Sequence, residues 1–116
     1  MLKNIPQEHE VARSAELLGA MANAKRLLIL SVLTQHEISV SLLAMKVGLS
    51  QSALSQHLAK LRHAGLVVAR RDAQTVYYSS NSQAVGKLLD VLDRIYNEGS
   101  AQGISAEGSG NKIAQR

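Results

Sequence analysis

Apolar residues recur at helical spacing along most of this chain, and alternate as in a strand over one short stretch past its middle. From Gln7 to Met21, the residues Val11, Ala15, Leu18 and Ala22 fall on one stripe of a first helix. Asn23 then suits a helix cap, and Ala24 to Thr34 holds Leu27, Leu28, Ile29, Leu30 and Leu33. That body is almost wholly apolar, which predicts the most buried element. Glu37 to Val40 is short and β-leaning, and Ser41 can cap a brief helix ending at Gly48, the residue suited to a left-handed C-terminus. Ser50 caps a longer helix to about Ala64, closed by Gly65. Val67-Val68 with Arg70–Asp72, and Thr75–Ser80, flank a polar turn at Ala73-Gln74 and predict a two-stranded hairpin. Tyr77 and Tyr78 must point to opposite faces of their strand, one into the core and one onto the hairpin's edge with its hydroxyl in water.

Asn81 or Ser82 can cap a last helix to about Asn97, with Val85, Leu88, Leu89, Leu92, Ile95 and Tyr96 as a second apolar stripe. From Gly99 the stretch is Gly- and Ser-rich with little that is apolar, and residues 99–116 read as a disordered tail. The expectation is one mainly α domain over residues 1–98 carrying a small β-hairpin wing.

A short helix, a Gly turn and a longer helix form a helix-turn-helix candidate, and the hairpin behind them makes it winged. Each piece is common; their order carries the weight. On the longer helix Leu54, Leu58 and Leu61 share a narrow stripe, the predicted core side. The outward face of its first turns is Gln51, Ser52, Ser55 and Gln56, short or amide-bearing and uncharged. Amides can bond adenine N6 and N7 in pairs, and hydroxyls can serve several bases, so these residues suit base reading in a major groove. An ordinary surface helix would carry paired Glu and Lys instead. Gln56 is the leading reader, and without Arg on this face the expected preference is A·T-rich.

Charge sharpens the picture. Between Glu37 and Asp72 there is no acid, while Lys46, Lys60, Arg62, Arg70 and Arg71 all fall there. A basic middle in an otherwise balanced chain is the footprint of a polyanion-binding face, although a merely solvated basic surface has the same charge. Lys46, Lys60, Arg70 and Arg71 are candidates for phosphate contact, with Ser50 at a helix N-terminus, His57 on the helix flank, and Arg70, Arg71, Gln74 and Thr75 at the hairpin tip. His63, at the end of that helix, suits its dipole.

Composition narrows the class further. With no Phe or Trp and three Tyr, the core of this 116-residue chain rests on aliphatic side chains, which favours helices and burial against a partner. Zero cysteines exclude a disulfide framework, a thiolate metal site and a thiol redox sensor. No apolar run is long enough to span a membrane, and MLKNIPQEHE has no signal-peptide core, so a cytoplasmic location is expected.

The segments AMANAKRLLILSVL and LLAMKVGLSQSALSQHLAKLRHAGLVVARRDAQTVYYSS resemble the ArsR/SmtB family of bacterial winged-helix repressors, over roughly Glu10 to Asn97. The resemblance implies a homodimer joined through the first and last helices, which binds an imperfect inverted repeat of double-stranded DNA and blocks transcription. It also implies that Gln51, Ser52, Ser55 and Gln56 face the major groove. The dimer has separate support in the two apolar stripes, which could pair across a two-fold axis through Val11, Ala15 and Leu18 with Leu88, Leu89, Leu92, Ile95 and Tyr96, or could pack within one chain.

Many members of that family sense metals through a Cys pair where this chain has Ser39-Val40-Ser41, and serine hydroxyls are poor ligands for soft metals. Others use Asp and His on the last helix, which here offers Asp90 and Asp93 but no His. His57 and His63 do not share a helix face for chelation. No metal or other cofactor is expected, and no effector is legible.

Four alternatives compete with this reading. A protein–protein adaptor would have lost the basic window. A metal-responsive repressor would need a His/carboxylate site that the sequence does not display. Catalysis has no visible nucleophile motif, phosphate loop or close carboxylate pair beyond Asp90 and Asp93 on a helix surface. Structured RNA is disfavoured, since its deep major groove excludes such a helix and stacking aromatics are missing.

Overall fold

Local capping chemistry sets most of the element boundaries. The computed structural model describes residues 7–101. Helix α1 is Glu8–Met21, with Glu8 and Glu10 in its first turn and the Glu10 carboxylate accepting from the Gln7 backbone N–H at 3.4 Å. Helix α2 is Ala24–Leu33, capped by Asn23, whose side chain accepts from the Arg26 N–H at 3.0 Å. Helix α4, Gln51–His63, is capped by Ser50 Oγ accepting from the Ala53 N–H at 3.1 Å. Gly48 (φ 71) and Gly65 (φ 76) hold the left-handed positions that end the two helices of the motif.

The cap of helix α3, Val40–Val47, differs from expectation. Ser39, not Ser41, accepts from the Leu42 N–H at 3.3 Å. The cause is long-range. Ile38–Ser39 forms strand β1, paired antiparallel with Tyr78 and Tyr77, so the chain must turn helical directly after Ser39. The sheet therefore has three strands, order β1-β3-β2, with β2 Val68–Asp72 and β3 Thr75–Ser79, where the sequence pattern predicts a two-stranded hairpin.

The chain divides into two compact units, one through Ser82 and one from Gln83. In the first, α2 contributes Ile29, Leu30 and Leu33, α3 contributes Leu43 and Val47, and α4 contributes Leu54, Leu58 and Leu61, all almost fully buried. Leu28, assigned by its neighbours to the buried helix, is 42% exposed, so α2 is buried on one side only. Tyr78 is the core tyrosine. Ser80 ties the end of the sheet into this core, its N–H donating to Leu33 O at 3.0 Å and its Oγ to Leu66 O at 2.6 Å.

The second unit contains helix α5, Gln83–Ala101. It continues four residues past Asn97, so residues 99–101 of the expected tail are helical, and residues 102–116 lie outside the described residues. Among the described residues no helix is long and apolar enough to cross a membrane.

The β2–β3 turn holds one strained residue. Ala73 has φ 58, a left-handed conformation that costs a side-chain-bearing residue about 1–2 kcal/mol, and two-residue hairpin loops favour Gly there. Ala73→Gly should raise stability by up to about 1 kcal/mol, the relief being partly offset by the freer unfolded chain. Urea unfolding monitored by circular dichroism reads it, and a lower midpoint would contradict the strain.

Candidate nucleic-acid interface

Helix α4 is amphipathic about the Leu54, Leu58 and Leu61 stripe, and everything opposite faces solvent. Gln51, Ser52, Ser55 and Gln56 are all exposed. They do not form one set, however. Gln51 Nε2 lies 3.4 Å from Ser41 Oγ, and Ser52 Oγ lies 3.3 Å from the capping Ser50 Oγ. The side chains of Ser55 and Gln56 have no hydrogen-bond partner among the described residues, so both are free to meet a ligand.

A cleft of about 480 Å³ runs beside this helix. Gln51, Ser55, Ala59 and Arg62 line it from α4, Ser39 to Ser41 from the start of α3, and Gln74 to Val76 with Tyr78 from the hairpin. Ser52 and Gln56 lie outside it. The structure thus sorts the four candidate readers into a cleft-side pair and an outward pair. Arg62 stands in the cleft although only its charge, not its place, is visible in the sequence.

Lys46 and Lys60 are exposed on α3 and α4, and the last turn of α4 holds Lys60, Arg62 and His63, favourable at a helix C-terminus. No acid occupies its first turn, which leaves the amide groups beside Ser50 open to an anion.

Two candidates for phosphate contact are otherwise engaged. Arg70 is not at the hairpin tip but within β2, opposite Tyr77. Its guanidinium lies 4.7 Å from the Tyr77 ring centroid and reaches across β3 to Glu37, with Nη2 to Oε1 at 2.8 Å and Nε to Oε2 at 3.0 Å. These hydrogen bonds hold the Glu37 carboxyl below its ordinary range and raise Arg70. Arg70 therefore clamps the sheet with a charge already neutralised. Arg71 alternates to the other face, opposite Val76, and is exposed, as are Gln74 and Thr75.

His57 is the second. It is half-buried on the flank of α4, with Nδ1 3.5 Å from Arg26 Nη1. Burial first, then the Arg26 and Lys60 charges, lower its pKa from 6.5, so it is a neutral contact rather than a cation. The same Arg26 closes the end of α1, Nε donating to Ala20 O at 2.6 Å and Nη2 to Gly19 O at 3.4 Å. Lys25 caps α3 similarly, Nζ to Val47 O at 2.5 Å. All three bonds join residues brought together only by the fold, and sequence spacing carries no signal of them.

The His57 shift has a consequence for stability. The folded state holds fewer protons than the unfolded chain at pH values between the lowered pKa and 6.5, so stability is full above about pH 6.5 and falls on acidification. His57→Gln, which keeps an acceptor for Arg26, should flatten the fall in urea midpoint between about pH 7.5 and 5.5. Equal falls in both proteins would assign the effect to other groups.

Val11 and Leu18 on α1 are 45% and 54% exposed, and Ala15 is exposed between them. On α5, Ile95 and Tyr96 are 55% and 72% exposed, whereas Leu88, Leu89 and Leu92 are half-buried.

A family model described as bacterial regulatory protein, arsR family, matches residues 23–68, the span from the α2 cap through the start of β2. The chain is 61% identical over 94 residues to the nodulation protein NolR of Rhizobium meliloti, covering 80% of this chain and 77% of that protein. The crystal structure of NolR from Sinorhizobium fredii superposes with a TM-score of 0.74 at 59% identity, over 83% of this chain and 97% of that one. The transcriptional activator HlyU of Vibrio cholerae is 49% identical over 89 residues, 77% of this chain and 82% of that protein. A homodimeric winged helix-turn-helix DNA-binding domain of Mycobacterium bovis, Mb0332, is 27% identical with a TM-score of 0.72, over 90% of this chain and 99% of that domain. With relatives this similar along most of both chains, the protein belongs to the ArsR family, as a winged helix-turn-helix regulator of transcription and not an enzyme.

Proposed function

We propose that the protein is a homodimeric repressor that binds an imperfect, A·T-rich inverted repeat in double-stranded DNA. Helix α4 enters the major groove, with Gln51, Ser52, Ser55 and Gln56 as base readers. Lys46, Lys60 and Arg71 take phosphates beside Ser50, and the wing over 70–76 rests on the backbone or minor groove with Gln74 and Thr75 foremost. Residues 1–98 act as the DNA-binding and dimerisation domain, in the cytoplasm and on the nucleoid when DNA is bound.

One observation carries this reading. An exposed, uncharged, amide- and hydroxyl-bearing face on α4 lies within a stretch holding five cations and no acid from 38 to 71. The exposed Val11, Ala15 and Leu18 of α1 and Ile95 and Tyr96 of α5 support the dimer, as does the homodimeric state of the M. bovis domain. A two-fold dimer places its reading helices about 34–36 Å apart, one helical turn of DNA, which matches an inverted repeat.

Fluorescence anisotropy on the protein's own upstream DNA tests this, at about 150 mM salt with excess non-specific duplex and no added metal. Specific binding lies at about 10⁻⁸–10⁻¹¹ M, against about 10⁻⁴–10⁻⁶ M for non-specific duplex. Nanomolar saturation with two chains per duplex is expected. If neither upstream DNA nor selection from a random pool gives binding above the competitor's, the adaptor reading takes its place. HlyU is named an activator, so in vitro transcription from the bound promoter supplies the sign, with loss of transcript expected.

A further inference from the structure

We propose that the cleft between α4 and the hairpin is a seat for one backbone phosphate of the bound duplex, with Arg62 as its cation. The inference rests on the DNA-binding reading and adds a contact that the reading does not contain.

An α-helix with its side chains is about 10–12 Å across, and the major groove of B-DNA is about 12 Å wide. A helix that fills the groove therefore meets one sugar-phosphate strand along each flank. Lys60 and Arg62 are two positions apart, so they stand about 160° apart around α4, on opposite flanks. Ser52 and Gln56, the outward pair, lie between them. With base edges against that outward pair, Lys60 faces one strand and the cleft with Arg62 faces the other.

The lining of the cleft suits an anion. Ser41, Ser55 and Thr75 present hydroxyls, Gln51 and Gln74 amides, and Arg62 a guanidinium, while among the described residues no carboxylate lines it. Arg62 is exposed and makes no ion pair among the described residues, whereas Arg70 is already neutralised by Glu37. Among the described residues Arg62 is the one cation lining the cleft, and its fork can hold two phosphate oxygens. The hairpin residues that complete the wall hold the same phosphate from the other side, which links the wing to the strand that α4 borders.

The test compares full-length wild type, Arg62→Gln and Arg62→Lys on one selected duplex. Affinity is read as a function of salt. Each lost phosphate contact lowers the slope of log K against log salt by about 0.9, hence about 1.8 for a dimer with two seats. Arg62→Gln should show that drop with an unchanged consensus from a random pool, and Arg62→Lys should keep the slope. A second readout replaces the phosphates one at a time with neutral methylphosphonate. One position per half-site should weaken wild type and leave Arg62→Gln unaffected.

An unchanged slope in Arg62→Gln overturns the proposal, and so does the absence of any such coupled phosphate. Arg62 is exposed, and matching thermal unfolding of the variants excludes a folding defect as the cause. Wild type that binds every duplex alike would instead overturn the DNA-reading assignment, a failure visible before any variant is measured.

Discussion

Ile95→Glu should convert the protein to a monomer at micromolar concentration and weaken operator binding by about 10²–10⁴-fold, the range that linked binding adds over a single module. Ile95 is 55% exposed and neighbouring Tyr96 is 72% exposed, so within one chain neither completes a core. Glu is also a good helix former, and α5 need not suffer. In the proposed dimer, however, the substitution buries a carboxylate once from each chain, and an unpaired buried ion costs several kcal/mol. Sedimentation equilibrium reads the assembly state and anisotropy reads the affinity. Helix content by circular dichroism should match wild type. A variant that stays dimeric would remove Ile95 from the interface, and one that becomes monomeric yet binds the operator as before would separate dimerisation from DNA recognition.

The legible parts of this fold are those decided within a few residues. Asn23 and Ser50 cap their helices because a short polar side chain there reaches an N–H three residues on. Gly48 and Gly65 end helices because their φ values exclude most other residues. The Leu54, Leu58 and Leu61 stripe points inward because helical period alone puts those positions on one face. Illegible features depend on residues far apart in sequence. The sequence assigns the α3 cap to Ser41, and the cap falls on Ser39 because β1 pairs with β3 and joins Ser39 to Tyr77. Arg70 reads as a free wing cation until the sheet brings it to Glu37, 33 residues away. Arg62 counts as charge in the sequence and acquires a place only when α3, α4 and the hairpin enclose the cleft.

The same distinction shapes expectations for the reading face. Among the described residues no protein group competes for the Gln56 amide, as none does for the Ser55 hydroxyl, whereas Gln51 approaches Ser41 and Ser52 approaches Ser50. The free energy of a Gln56 contact in a complex is therefore not reduced by a bond lost on leaving the free protein. A good bidentate side-chain–base pair gives about 1–3 kcal/mol of discrimination, and a symmetric dimer uses it twice. Gln56→Ala should then weaken operator binding by about 30-fold to 10⁴-fold, from roughly 2–6 kcal/mol in all. Three further consequences separate base reading from a general loss of affinity. The consensus selected from random duplex should relax at one base pair per half-site and hold elsewhere. The salt slope should not move, since no charge is lost. Thermal stability should stay level or rise slightly, because Ala is the better helix former at an exposed position. An unaltered consensus would mean that Gln56 touches no base edge, and recognition would then rest on Ser52, on the cleft-side pair Gln51 and Ser55, or on the shape of the operator.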